Sequence, residues 1–196
     1  MSGVCPSFLS FFLDNRFRKL LFRPDRILGP YIREGMTVAD IGCGPGFFTV
    51  PLARMVGPSG RVYAVDLQQA MLDKVDRKAA KAGMADRIVL HRCPTDSLGL
   101  EASLDFALCF WMLHEVPSPE HLLVELAALL KSGAPLLLAE PWAHVRRRRF
   151  DAAVAVAVEN GFSVAGAPGI RGSYSVLLLA SHHPPVHGSQ PMAHSS

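Results

Sequence analysis

The chain has 196 residues, 49% hydrophobic and 19% charged, which suits one domain with its own core and excludes a disordered or fibrous chain. The formal net charge is +3, and Arg16, Arg18, Lys19, Arg23, Arg26 and Arg33 set against Asp14, Asp25 and Glu34 account for all of it within residues 1–34. The balanced remainder argues against a broad nucleic-acid footprint, and no apolar run is long enough to span a bilayer.

The stretch "SFLSFFLDNRFRKLLF" predicts a helix over 8–22. Phe8, Phe11 and Phe12 share one face, Leu13, Phe17, Leu20 and Leu21 another, and Asp14 and Arg18 form an i,i+4 pair. Residues 1–30 read as a helical lid segment, basic and aromatic enough for weak contact with an anionic membrane surface. The start is apolar first and basic afterwards, the reverse of a secretory signal, so a cytoplasmic protein is expected. Pro24 opens a short helix through Leu28, which Gly29-Pro30 stops.

From residue 31 to 180 strands and helices alternate. "MTVADIG" is a strand and "FFTVPLARMVG" a helix ending at Gly57. "RVYAVD" is a strand buried on both faces, and "QQAMLDKVDRKAAKAG" a helix stopped by Gly83. "RIVLHRC" and "LDFALCF" are strands three and four. "PEHLLVELAALLKSG" is a helix with an apolar stripe at Leu122, Leu123, Leu126 and Leu130, and "APLLLAEP" is the fifth strand. A helix from about Val145 to Asn160 follows. "FSVAGAPG" and "YSVLLLAS" have no helix between them and so form an antiparallel hairpin. The whole is an α/β fold: βα units on a mostly parallel sheet, finished by a hairpin. Residues 181–196 hold no Asp, Glu, Lys or Arg and read as a disordered tail.

Cys5, Cys43, Cys93 and Cys109 form no CxxC pair and read as reduced thiols, with no metal site expected. The arginines 146–149 oppose the dipole near a helix start. They read as a solvated face, with an anionic partner as the other option.

The chemistry is concentrated after the first strand, in "VADIGCGPGF". Asp40-x-Gly42-x-Gly44-x-Gly46 is neither a dinucleotide fingerprint, because Phe47 stands where a small residue is needed, nor a Walker loop, because its lysine is absent. Asp66 ends the second strand, where a carboxylate accepts both hydroxyls of a ribose.

These residues resemble the class I S-adenosylmethionine-dependent methyltransferases. The stretches that carry the likeness are "VADIGCGPG", "VYAVD", "LDFALCFWMLHEV", "LKSGAPLLLAEP" and the terminal hairpin. Together they span roughly residues 30–180, and the subgroup resembled is that of small-molecule methyltransferases related to quinone-biosynthesis enzymes. The resemblance implies a Rossmann-like, seven-stranded sheet in the order 3-2-1-4-5-7-6, with S-adenosylmethionine as cofactor. That molecule has no phosphate, so no lysine is required. Asp40 would fix its ammonium and the N–H groups of the glycine turn its carboxylate, with Gly42 and Gly44 letting the chain pass without a Cβ and Cys43 and Gly46 completing the cofactor-binding turn, Cys43 as a small residue. Asp66 would hold the ribose, with Leu67 beside the adenine and Phe110 at the exit of strand four. The family often places an acid just after strand three. Here that position falls near Cys93, and Asp96 is the substitute.

Methyl transfer is an in-line displacement that needs alignment and exclusion of water more than a strong base. His114 would take a proton from the acceptor, or stand as a rim histidine. Trp111 and Glu115 are placed against a small, apolar or aromatic substrate, with core packing as the other reading of Trp111. A non-catalytic protein that binds the cofactor as scaffold or sensor, and an NAD-dependent oxidoreductase, are the alternatives. The absence of an Asn-Pro-Pro-Tyr-type motif, with "CFWM" in its place, disfavours an RNA methyltransferase.

Overall fold

The computed structural model describes residues 22–181. The helix expected over 8–22 (Phe22 apart), Cys5, and the tail from residue 182 lie outside the described residues, so the lid and tail assignments remain expectations. A short helix α1 (Pro24–Leu28) precedes β1 (Thr37–Ile41), α2 (Thr49–Met55), β2 (Arg61–Asp66), α3 (Gln69–Ala82) and β3 (Ile88–Arg92). Then come β4 (Phe106–Phe110), α4 (Pro119–Leu129), β5 (Pro135–Pro141), α5 (Arg147–Glu159), β6 (Phe162–Gly166) and β7 (Ser173–Ala180). Single 3-10 turns lie at Ala85–Arg87 and Leu113–Glu115.

Differences from the sequence expectations are confined to element ends. The largest is at α4, which stops at Leu129 because Leu130 is already extended and bridges Leu104. Local chemistry accounts for the other boundaries. Ser118 accepts the N–H of His121 and Pro119 opens α4 with a preset φ. Gly83, at φ +66°, closes α3, and the N–H of Met84 reaches back to the Ala79 carbonyl.

The seven strands form one sheet in the order β3-β2-β1-β4-β5-β7-β6. The first five are parallel to one another, while β7 runs antiparallel to both β5 and β6. Strand alternation divides the core into two layers. Phe106, Leu108 and Phe110 of β4, with Val38, Val62 and Leu137, face Leu28, Phe48, Leu52 and Val56 from α1, α2 and their flanks. Ala107 and Cys109, with Ile41, Leu136 and Leu138, face Leu122, Leu123 and Leu126 of α4 and Phe150 and Ala157 of α5. All five residues of β4 are buried, as a central strand covered on both faces requires.

This order has a functional consequence. From β1 the chain winds outward through β2 to β3, then returns to place β4 on the other side of β1. The helices that leave β1 and β4 diverge there, opening a crevice at the carboxyl ends of these strands. No helix among the described residues is long and apolar enough to cross a membrane.

Phe106 lies at the centre of this arrangement, fully buried. Replacing it with Ala is expected to cost about 3–5 kcal/mol of unfolding free energy with little change in the urea m-value. A cost under about 1 kcal/mol would mean that this layer is not close-packed.

Candidate active site

A cavity of about 700 Å³ lies in the crevice. Its floor comes from the glycine turn after β1, with Asp40, Gly42, Cys43 and Gly44 on the wall. Asp66 and Leu67 flank it at the end of β2, and Cys93 and Asp96 line it after β3. Phe110, Trp111, His114 and Glu115 form the opposite side after β4. Thus the sequence-predicted residues from four separate strand ends meet around one space. Gly46 is the exception. It lies behind the turn, where a Cβ would come 3.1 Å from Val75 of α3, so it closes the turn and does not face the cavity.

The turn is held by its own geometry. Gly42 has φ +65°, and a Cβ there would fall 2.8 Å from the Met112 Cβ, so only glycine fits. Gly44 is also left-handed, and its missing side chain opens onto space with no atom within 4 Å. Asp40 is 3% exposed, and its Oδ2 accepts a 2.6 Å bond from the Thr49 hydroxyl at the start of α2. Asp66 accepts backbone N–H groups, Gln68 N at Oδ1 and Gly44 N at Oδ2, both at 2.9 Å. The Gly44 N–H is therefore given to Asp66 and is not among the N–H groups of this turn left for a ligand carboxylate. Burial raises the Asp66 carboxyl above its usual range, while the N–H donors of Gln68, Gly44 and Leu67 pull it down.

The other wall is aromatic. Trp111 alone among the described non-glycine residues has positive φ, at 60°. Such strain costs on the order of 1–3 kcal/mol and needs fixing contacts. Its backbone N–H donates to the Ala139 carbonyl, and Nε1 donates to the Ser173 hydroxyl, each at 2.8 Å. The ring stacks on Phe110 with centroids 5.5 Å apart and meets Phe22 edge-on at 5.1 Å.

His114 sits three residues further on, in the turn Leu113–Glu115. Its Nδ1 is 2.7 Å from Oε2 of Glu140, which is the penultimate residue of β5 and is 2% exposed. The same carboxylate accepts the backbone N–H groups of Leu113 and His114 at 3.0 and 3.1 Å. This bond raises the His114 pKa above its ordinary 6.5, against the opposing effect of burial. Burial also raises the thiols of Cys43, Cys93 and Cys109, so they stay protonated near neutrality. The four arginines 146–149 are exposed, as a solvated face requires. Arg147 pairs with Asp151, and Arg149 donates to the His114 carbonyl at 3.2 Å.

Sequence reasoning missed Thr49, Ser173, Phe22 and, above all, Glu140. The last had a signal: an acid inside the apolar run "PLLLAEP", at a strand end like Asp40 and Asp66.

A group whose folded-state pKa is raised contributes stability below its unfolded value and loses it as pH rises through the folded one. The stability gap between wild type and His114→Gln, read by urea denaturation, is therefore expected to be widest near about pH 6 and to shrink towards about pH 9. A gap that widens with pH would contradict the His114–Glu140 pairing.

Comparison with known proteins agrees with this geometry. Residues 38–133 match a family described as a methyltransferase domain. The demethylmenaquinone methyltransferase of Lactobacillus johnsonii is 31% identical over 121 residues, 60% of this chain and 47% of that protein. A protein named "Probable cobalt-precorrin-6B C(15)-methyltransferase (decarboxylating)" from Pyrobaculum calidifontis is 44% identical over 61 residues, 31% of each chain. The chain thus spans about half of the first relative and a third of the second. The solved structure of a SAM dependent methyltransferase from Aquifex aeolicus superposes with a TM-score of 0.80 at 25% identity, covering 90% of this chain and 100% of that one. Sheet order, glycine turn and matches agree: residues 38–133 match the methyltransferase-domain family, and the chain has the fold of the S-adenosylmethionine-dependent methyltransferases.

Proposed function

We propose that the protein transfers a methyl group from S-adenosylmethionine to a small apolar or aromatic molecule. The observation that carries this reading is the single cavity that runs from Asp66, at the end of β2, to the aromatic wall and His114 after β4. One end has the chemistry of a nucleoside site and the other that of an apolar acceptor site.

The residues present fit the cofactor. It carries no phosphate, and no lysine stands in the glycine turn. The open space at Gly44 and the tight approach at Gly42 admit a ligand backed directly against main chain. Asp40, steadied by Thr49, would take the ammonium of the methionine end. Asp66 would accept the ribose hydroxyls on the lone-pair positions that its backbone bonds leave open. Leu67 would lie against the adenine, with Cys93 and Asp96 on its far side. When bound, the cofactor supplies a methyl group on a positively charged sulfur.

The acceptor would lie between Trp111, Phe110 and Glu115. An apolar, aromatic wall excludes water and aligns a flat molecule, which an in-line displacement demands. A quinone-like acceptor is consistent with the name of the Lactobacillus johnsonii relative.

Calorimetric titration with S-adenosylhomocysteine tests the cofactor half. Wild type is expected to bind with micromolar-class affinity, about −8 kcal/mol, and Asp66→Ala to lose roughly tenfold or more. A panel of phenols, quinols and amines with labelled methyl donor tests the acceptor half. Binding with no transfer to any acceptor would replace the enzyme by a cofactor-binding scaffold. Absence of heat, together with binding of NADH, would overturn the reading in favour of an oxidoreductase.

A further inference from the structure

The geometry points to Glu140 as a positioning residue that fixes His114 as proton acceptor, which restricts the substrate to molecules whose attacking atom carries an acidic proton. This rests on the methyl-transfer reading above.

Glu140 is placed at high cost. It sits at the end of β5, whose last six residues are all buried, with Ala139 and Pro141 on either side. Such a carboxylate must be hydrogen-bonded. All three of its bonds go to one turn: Leu113 N–H, His114 N–H and the His114 ring. A brace for the turn would need only the two backbone bonds. The third, at 2.7 Å, is the shortest, and it fixes the imidazole. Because a carboxylate only accepts, Nδ1 carries the proton and the neutral ring bears its lone pair on Nε2.

The surroundings favour a proton arriving at Nε2. Glu115 places Oε1 3.9 Å from that nitrogen, on the cavity wall. His144, after β5, has its ring centroid 6.3 Å from that of His114. Among the described residues, Arg149 of α5 is the cation acting on this ring, and it is bonded to the His114 carbonyl. Two carboxylates against one arginine stabilise the imidazolium that proton transfer creates. β5 pairs with both β4 and β7, so the carboxylate is mounted on the sheet, not on a loop.

The step balances. The proton on the attacking oxygen, nitrogen or carbon passes to Nε2. The electron pair it leaves forms the bond to the methyl carbon, and the methyl–sulfur pair returns to sulfur. The proton then leaves Nε2 for water, and nothing is oxidised or reduced. Phenols, enolisable carbons and protonated-nitrogen acceptors fit this arrangement. Thioethers, with no proton to give, gain nothing from it.

Two measurements test this on the full chain. Long-range nitrogen–proton NMR of wild type, with the His114 signals assigned by their loss in His114→Gln, is expected to show Nδ1 protonated and Nε2 bare at alkaline pH. The opposite tautomer would overturn the proposal and needs no Glu140 variant to fold. In Glu140→Gln, turnover of a phenolic acceptor is expected to fall on the order of 10²-fold, with KM unchanged within about twofold. Its acid limb should move to lower pH, because the carboxylate that raises His114 is gone. An unmoved limb with S-adenosylhomocysteine binding intact would make Glu140 a brace only. Failure of wild type to bind or transfer would instead remove the methyltransferase reading and leave the tautomer result standing.

Discussion

Carboxylates at strand ends are the constraint on which the site depends. Among the described residues the buried polar side chains are Asp40, Thr49, Asp66 and Glu140. Each carboxylate stands at or near the carboxyl end of a different parallel strand, and each is answered by a donor from an adjoining turn or helix. Thr49 serves Asp40, the backbone of Gly44 and Gln68 serves Asp66, and the turn after β4 serves Glu140. An unanswered carboxylate in such surroundings would cost several kcal/mol, so these bonds fix the turns as firmly as the turns fix the bonds.

The bond from Gly44 to Asp66 joins the glycine turn after β1 to the end of β2. The bonds from Leu113 and His114 to Glu140 join the turn after β4 to the end of β5. Between these two clamps lies the switch point of the sheet, where β1 and β4 are neighbours and their connections diverge. The cavity is the space left between the clamps, and Trp111, held in a strained conformation by Ala139 and Ser173, forms its wall. Fold and site thus share the same hydrogen bonds.

Much of this was legible in the sequence because the relevant signals are local. Buried parallel strands read as continuous apolar runs, and "LDFALCF" and "RVYAVD" are such runs. The missing helix before the last strand exposed the antiparallel ending. Asp40, Gly42 and Asp66 stood out because an acid and glycines at strand ends are costly without a ligand or a turn to serve. What stayed hidden depends on distance along the chain. Glu140 lies 26 residues from His114, and Ser173 lies 62 residues from Trp111. No periodicity carries such a pairing. Gly46 was misplaced for a related reason: spacing cannot tell a glycine that admits a ligand from one that admits Val75.

The central claim is that one cavity holds the nucleoside at Asp66 and presents the methyl group towards the His114 wall. A crystal structure with S-adenosylhomocysteine tests it most directly. Ribose hydroxyls are expected within hydrogen-bonding distance of Asp66, the amino-acid end against Asp40 and Gly42, and the sulfur facing Trp111 and His114. A ligand bound with its ribose away from Asp66, or with its sulfur turned from His114, would contradict it.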